Sequence, residues 1–180
     1  MLETYISVDI ETSGPIPGTY SMLAIGACIV GNVNNSFYIE LRPINSSFVH
    51  AAMEIINRPL EEFARTGRDP AEAMGAFCDW VNTVSRGATP VFVGFNAAFD
   101  WSFVNWYFHT YTDSNPFGFA ALDIKSYYMG LVGCDWDKTR SSQIHPKFKA
   151  TTKHSHNALN DAIEQANMFE RMHQAYRPNP

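Results

Sequence analysis

The segment Tyr5-Ile-Ser-Val-Asp-Ile-Glu-Thr-Ser-Gly14 is an apolar run that ends in two carboxylates, Asp9 and Glu11. Side chains two positions apart on a β-strand share one face at a distance of roughly 7 Å, so both carboxylates should point the same way. Carboxylate oxygens are the ligands that hard divalent cations prefer in proteins. The segment therefore predicts a strand that carries part of a metal site.

Two more β-rich runs follow this segment along the chain. Together with residues 4–9 they cover residues 22–30 and 36–41, and Gly, Pro and Asn residues separate the three runs. Such residues favour turns, and the spacing between the runs is short. The first quarter of the chain therefore predicts three consecutive antiparallel strands.

The rest of the chain alternates helical and strand-like patterns. Apolar residues recur at steps of three and four in the helical segments, whereas the strand segments are short apolar runs beside Gly or Pro. We expect helices over 70–84, 97–109 and 157–176, strands over 90–94 and 118–124, and a short helix after the last strand that ends near residues 130–133. This alternation predicts parallel pairing and an α/β fold. Residues 135–155 show no period and predict an exposed, mobile loop that could cover a substrate.

The composition limits the class of protein. A chain of 180 residues with 46% apolar content predicts a single domain over residues 1–180. Thirteen basic against eighteen acidic residues give a net charge of −5, which argues against a protein that coats long nucleic acid. The three cysteines are scattered, and the N-terminal segment lacks the basic start of a secretory signal. With no run of eighteen apolar residues, we expect a soluble cytoplasmic protein without membrane contact.

Two further acidic segments accompany the first. They are Val93-Gly-Phe-Asn-Ala-Ala-Phe-Asp100 and His156-Asn-Ala-Leu-Asn-Asp161. Asp100 or Asp161 alone could be an ordinary acid in the first turn of a helix, where the helix dipole favours negative charge. The three segments together, in this order, resemble the motifs of the DnaQ-like 3′-to-5′ exonuclease superfamily, in its Asp-Glu-Asp-Asp class with a histidine (DEDDh).

The resemblance implies a ribonuclease H-like fold, which is a mixed five-stranded sheet flanked by helices. It implies an enzyme that hydrolyses single-stranded RNA or DNA from the 3′ end to nucleoside 5′-monophosphates, and it makes a homodimer plausible. It also implies two divalent cations, Mg²⁺ or Mn²⁺, held by Asp9, Glu11, Asp100 and Asp161. Elementary electrostatics agrees, because four neighbouring carboxylates repel one another unless cations lie between them.

Other residues of the motifs suggest further roles. His156 suits a general base, since the unperturbed pKa of histidine, about 6.5, lets the imidazole accept a proton near neutral pH. The resemblance places Thr12, Ser13 and Asn96 near the terminal nucleotide of the substrate. Phe95 stands where family members often carry histidine, and we expect it to stack on a base instead.

Plainer interpretations apply to several residues. Phe99, Phe103, Trp106 and Tyr107 have helical spacing and predict core packing, and Asp123 predicts a turn or a helix cap. Two alternative functions also fit the acidic segments. One is a binding or scaffold module of a replication or RNA-processing complex without turnover, and the other is a phosphatase with an aspartyl nucleophile.

Overall fold

The computed structural model describes residues 2–149 and 157–176 of the chain. Its centre is one five-stranded sheet with the spatial order β3-β2-β1-β4-β5. The strands are β1 (Glu3–Thr12), β2 (Met22–Ile29), β3 (Asn32–Glu40), β4 (Thr89–Gly94) and β5 (Ala121–Asp123). The predicted strands are all present, and their ends differ from expectation by a few residues.

The sheet is mixed, as expected. β1 and β2 pair in antiparallel fashion, and so do β2 and β3. β4 pairs with β1 in parallel, and β5 pairs with β4 in parallel. Because β1 lies in the middle of the sheet, the carboxyl end of this strand is flanked by β2 on one side and by the turn after β4 on the other.

Within residues 2–149 and 157–176, six α-helices surround the sheet. They are α1 (His50–Ile56), α2 (Leu60–Thr66), α3 (Pro70–Ser85), α4 (Ala97–Tyr111), α5 (Ile124–Val132) and α6 (Ala158–Tyr176). The predicted helices correspond to α3, α4, α5 and α6. The short helices α1 and α2 were not expected from the sequence. In the described part of the chain, every helix is too short or too polar to cross a membrane.

The alternation of side chains along β1 assigns a different role to each face of the sheet. Ile6, Val8 and Ile10 are buried in the main core together with the apolar side chains of α3 and α4. The odd-numbered residues of β1 face the other side, where α6 packs across β1 and β2. Asp9 and Glu11 therefore lie on the α6 side of the sheet.

The segment after α5 is more ordered than the sequence suggested. Residues 136–143 form two short 3₁₀ helices, Trp136–Thr139 and Ser141–Gln143. Ile144 and Phe148 are buried in a second core with α5 and α6. The prediction of an exposed segment is confirmed for most residues of 135–149, whereas Ile144 and Phe148 are buried and attach the segment to the core. The remaining residues of the predicted loop lie outside the described residues.

Candidate active site

Two carboxylates come from the last part of β1. Asp9 pairs with Gly26 of β2, and Glu11 pairs with Ala24, just before a register shift between Glu11 and Thr12. Since both residues are odd-numbered positions of a regular strand, their side chains lie on the same face. The prediction from the period of the strand is confirmed.

The third carboxylate arrives with α6, and Gly26 makes this possible. A Cβ atom at Gly26 would overlap the backbone of Ala158 and Leu159, so the first turn of α6 rests directly on β2. Asp161 lies in this first turn and is only 6% exposed. One oxygen from each of Asp9, Glu11 and Asp161 lies within 4.8 Å of the others. Carboxylates separated by 150 residues of sequence thus converge at one place.

Asp100 approaches from the opposite side of the sheet. It lies in the first turn of α4, which packs in the main core, and it is 5% exposed. Its Oδ1 atom accepts a hydrogen bond from the backbone N–H of Ile10 at 3.2 Å. Asp100 is therefore fixed beneath β1, next to the other three acids but outside the tight group that they form.

Burial is the main reason that the pKa values of Asp9, Glu11 and Asp100 lie above their ordinary values. Burial raises the pKa of Asp9 well above its ordinary value, and the charges of Asp100, Glu11 and Asp161 add to the rise. Burial and the charge of Asp161 raise the pKa of Glu11 to about 7. Burial likewise raises the pKa of Asp100 to about 7, against the hydrogen bond from Ile10. Near neutral pH the site therefore resists full ionisation unless positive charge is added.

Gln165 touches this group of acids and was not expected from the sequence. It lies one helical turn after Asp161 on α6 and is 3% exposed. Its Nε2 atom donates a hydrogen bond to Asp9 Oδ1 at 2.6 Å, and its Oε1 atom accepts one from the backbone N–H of Phe95 at 2.8 Å. The spacing of four from Asp161 is the one signal in the sequence that could have identified it.

A mostly apolar groove of about 410 Å³ opens beside Glu11. One wall is the loop after β1, and the other is the unexpected helix α1. Among the described residues, the aromatic side chain that lines the groove is that of Phe99. Phe99 was expected in the core, and it does pack against Phe103, at a centroid distance of 5.5 Å. The other lining residues are Ile10, Thr12, Gly14, Pro15, Val49, Ala51, Ala52, Ile55 and Ile56.

The residues expected to contact substrate lie in different environments. Thr12 lines the groove, and its hydroxyl donates to the Gly14 carbonyl at 3.0 Å. Ser13 is fully buried, and its hydroxyl donates to the Ser47 carbonyl and accepts from the Ser21 N–H. These hydrogen bonds indicate that Ser13 stabilises the loop after β1.

The turn after β4 holds the other two expected contacts. Asn96 is exposed and has a positive φ of 66°, at the start of α4. Phe95 is partly buried and packs against the second core. Asp123 accepts hydrogen bonds from Ala97 N–H and from Ser126 N–H, which confirms that it caps a helix. His156 lies outside the described residues.

Comparison with known proteins identifies the family. The model of the 3'-5' exoribonuclease Rv2179c-like domain matches residues 4–173. The chain is 52% identical over 168 residues to the 3'-5' DNA exonuclease Cap18 of Escherichia coli, across 93% of this chain and 90% of that protein.

Solved structures agree on the fold. The nuclease domain of 3'hExo, a DEDDh family member bound to rAMP, has a TM-score of 0.78 at 14% identity, over 98% of this chain and 96% of that one. Exonuclease I of E. coli, in its zinc-bound complex with single-stranded DNA, has a TM-score of 0.69 at 16% identity, over 98% of this chain and 41% of that one. The expected ribonuclease H-like fold is confirmed, and the enzyme interpretation is favoured over the scaffold. The chain belongs to the Rv2179c-like 3'-5' exoribonuclease domain family, and it is a 3'-5' exonuclease.

Proposed function

We propose that this exonuclease removes nucleotides one at a time from the 3′ end of single-stranded DNA, and that it depends on divalent cations. The observation that carries the proposal is the convergence of Asp9, Glu11 and Asp161 within 4.8 Å, with Glu11 also lining an apolar groove. The cluster can hold cations, and the groove can hold a base. A phosphodiester that lies between the two would be presented for hydrolysis.

The donor set fits Mg²⁺ or Mn²⁺. It consists of carboxylate oxygens from Asp9, Glu11 and Asp161, with Asp100 beside them, and hard cations prefer oxygen ligands. The raised pKa values of Asp9, Glu11 and Asp100 mean that their joint ionisation near neutral pH is unfavourable without added positive charge. When bound, two such cations would activate the attacking water and stabilise negative charge on the leaving 3′ oxygen.

The groove supports binding of a terminal base. Its lining is mostly apolar, and Phe99 contributes an aromatic ring, so a base of any sequence could enter without specific hydrogen bonds. Thr12 follows Glu11 in the chain, and both residues line the groove. We propose that Thr12 and the exposed Asn96 contact the terminal nucleotide. Contacts of Ser13 and Phe95 with substrate stay predictions.

We propose His156 as the general base. Its position in the third motif is five residues before Asp161, and α6 begins at Ala158 against the backbone of Gly26, which pairs with Asp9. A neutral imidazole near this point could accept a proton from the attacking water at neutral pH.

We choose DNA over RNA as the preferred substrate because the relative that is 52% identical to this chain is named a DNA exonuclease. The family model describes an exoribonuclease domain, so RNA is the competing substrate. The two differ at the 2′-hydroxyl of each sugar, which a nuclease must either accept or reject near the scissile phosphate.

The test uses single-stranded DNA and RNA oligonucleotides of the same sequence, each with a 5′ label. With Mg²⁺ or Mn²⁺ we expect the labelled strand to shorten one nucleotide at a time, nucleoside 5′-monophosphates to appear, and DNA to be degraded faster than RNA. EDTA or Asp161→Asn should stop the reaction, whereas Asp113→Asn, a matched change at an exposed acid, should leave it intact. Faster degradation of RNA would refute the substrate preference, and the absence of release from both would refute the function.

A further inference from the structure

We propose that Gln165 is a positioning residue that fixes the orientation of the Asp9 carboxylate and thereby sets the affinity of the site for cations. This inference rests on the proposed function, since it assigns a support to one of the cation ligands named there. Gln165 is the buried amide whose Nε2 atom lies 2.6 Å from Asp9 Oδ1.

The orientation of the Gln165 amide follows from its other partner. The backbone N–H of Phe95 can only donate, so the group that faces it at 2.8 Å must be the amide oxygen. The amide nitrogen, which can only donate, then faces Asp9. A rotated amide would place two donors together at Phe95 and two acceptors together at Asp9. The side chain therefore has one stable orientation.

This orientation constrains Asp9. A donor at Oδ1 holds that oxygen as an acceptor and limits rotation of the carboxylate about its terminal bond. Asp9 contributes a carboxylate oxygen to the cluster with Glu11 and Asp161, so the orientation of this carboxylate decides how that oxygen faces a cation. Groups that hydrogen-bond to a metal ligand commonly orient it in this way, and their loss typically lowers metal affinity or activity by about 10- to 100-fold.

Gln165 also connects the three segments that carry the acids. It belongs to α6 together with Asp161, it binds Asp9 of β1, and it accepts from Phe95 in the turn that leads into α4 and Asp100. The pairing of β4 ends at Gly94, so the Phe95 N–H lies just beyond the sheet. One neutral side chain thus satisfies this N–H and links the segments without adding charge to the acidic cluster.

A plainer role would be to satisfy the Phe95 N–H for the sake of folding alone. The two roles differ in what a substitution changes. A purely structural role affects thermal stability and leaves cation affinity unchanged in the protein that remains folded. A positioning role raises the concentration of Mn²⁺ that half-saturates the site, while the KM for the oligonucleotide stays within about twofold of the original value.

The experiment compares Gln165→Met, which keeps the size but loses both hydrogen bonds, with Gln165→Asn, which keeps the amide but is too short to reach both partners. Gln174→Met, at an exposed position of the same helix, is the matched control. Binding of Mn²⁺ is measured by calorimetry on the full chain, and folding is checked by circular dichroism. Activity is measured as nucleotide release against Mn²⁺ concentration.

We expect both Gln165 variants to bind Mn²⁺ about 10- to 100-fold more weakly, and the control to bind it as the unmodified protein does. Unchanged Mn²⁺ affinity in folded Gln165→Met and Gln165→Asn would overturn the inference. If Gln165→Met fails to fold, Gln165→Asn decides the question, because it retains a polar group at the buried position. Absence of nucleotide release by the unmodified protein would count against the proposed function, whereas calorimetry would still test Gln165.

Discussion

Replacing Asp100 by Asn should stabilise the cation-free protein while it abolishes nucleotide release. Asp100 is 5% exposed, and its Oδ1 atom accepts the Ile10 N–H, a hydrogen bond that the oxygen of Asn can also accept. The substitution therefore keeps the shape and the hydrogen bond, and it removes only the charge. In the absence of cations, that charge has other carboxylates as neighbours.

The magnitude follows from the pKa of Asp100, which burial raises from 3.8 to about 7. Because the folded protein holds this proton more tightly than the unfolded chain, the stabilisation from the shift is fully present below about pH 4 and is lost as the pH rises through about 7. Each unit of difference between the pKa values of 3.8 and about 7 corresponds to about 1.4 kcal/mol. Ionised Asp100 therefore lowers the free energy of unfolding by up to about 4 kcal/mol at pH 8. In a chain of this size this corresponds to roughly 8 to 16 °C in Tm.

The assay is thermal unfolding in EDTA across pH 4 to 8. Asp100→Asn should unfold at a higher temperature than the unmodified protein at pH 8, and the difference should vanish near pH 4. Addition of Mn²⁺ should stabilise the unmodified protein more than the variant. Asp113→Asn, at an exposed acid, should behave as the unmodified protein. A variant that is equally or less stable at pH 8, or a difference that is independent of pH, would refute the electrostatic reasoning.

Three further predictions concern the ligands, the packing of α6 and the groove. Asp161→Ala should lower nucleotide release by about a thousandfold or more through loss of a cation ligand, measured on a 5′-labelled single strand, and an active variant would contradict the assignment. Gly26→Ala should lower the free energy of unfolding, measured in urea, by about 1 to 3 kcal/mol and should lower activity, because α6 must move away from the new methyl group. The control Gly75→Ala, on α3 with open space around it, should raise the free energy of unfolding by about 0.5 to 1 kcal/mol. Ile55→Asp should raise the KM for single-stranded DNA by about tenfold with little change in kcat, because Ile55 lines the groove and is 54% exposed. Val132→Asp on α5 is the control. An equal effect of both substitutions would argue against binding of DNA in the groove.

The sequence was sufficient for the parts of the fold that depend on local periodicity. The period of two along β1 correctly placed Asp9 and Glu11 on one face, and the spacing of apolar residues predicted α6 with Asp161 in its first turn. Asp123 was predicted as a cap because acids are favoured before a helix, and the structure confirms it. These features depend on residues that are close together in the chain.

Features that depend on contacts between distant segments could not be predicted in this way. The helices α1 and α2 have seven residues each, which is too few for a clear helical period. The wall of the groove that α1 forms therefore cannot be predicted from the sequence. Gly26 is required because the backbone of Ala158 and Leu159 in α6 lies against it, and these residues are more than 130 positions away in the chain. Gln165 has an unremarkable position in a helical pattern, and its role depends on two partners that lie 70 and 156 residues away.

The apolar even-numbered side chains of β1 lie in the main core and the odd-numbered carboxylates face α6, so the length of this strand matters for both the fold and the active site. One insertion or deletion within the strand would turn the carboxylates into the aromatic interior and bring Ile6, Val8 and Ile10 out towards α6. The fold and the chemistry would be lost in the same event. Up to the register shift after Glu11, we therefore expect this strand to tolerate substitutions better than changes in length.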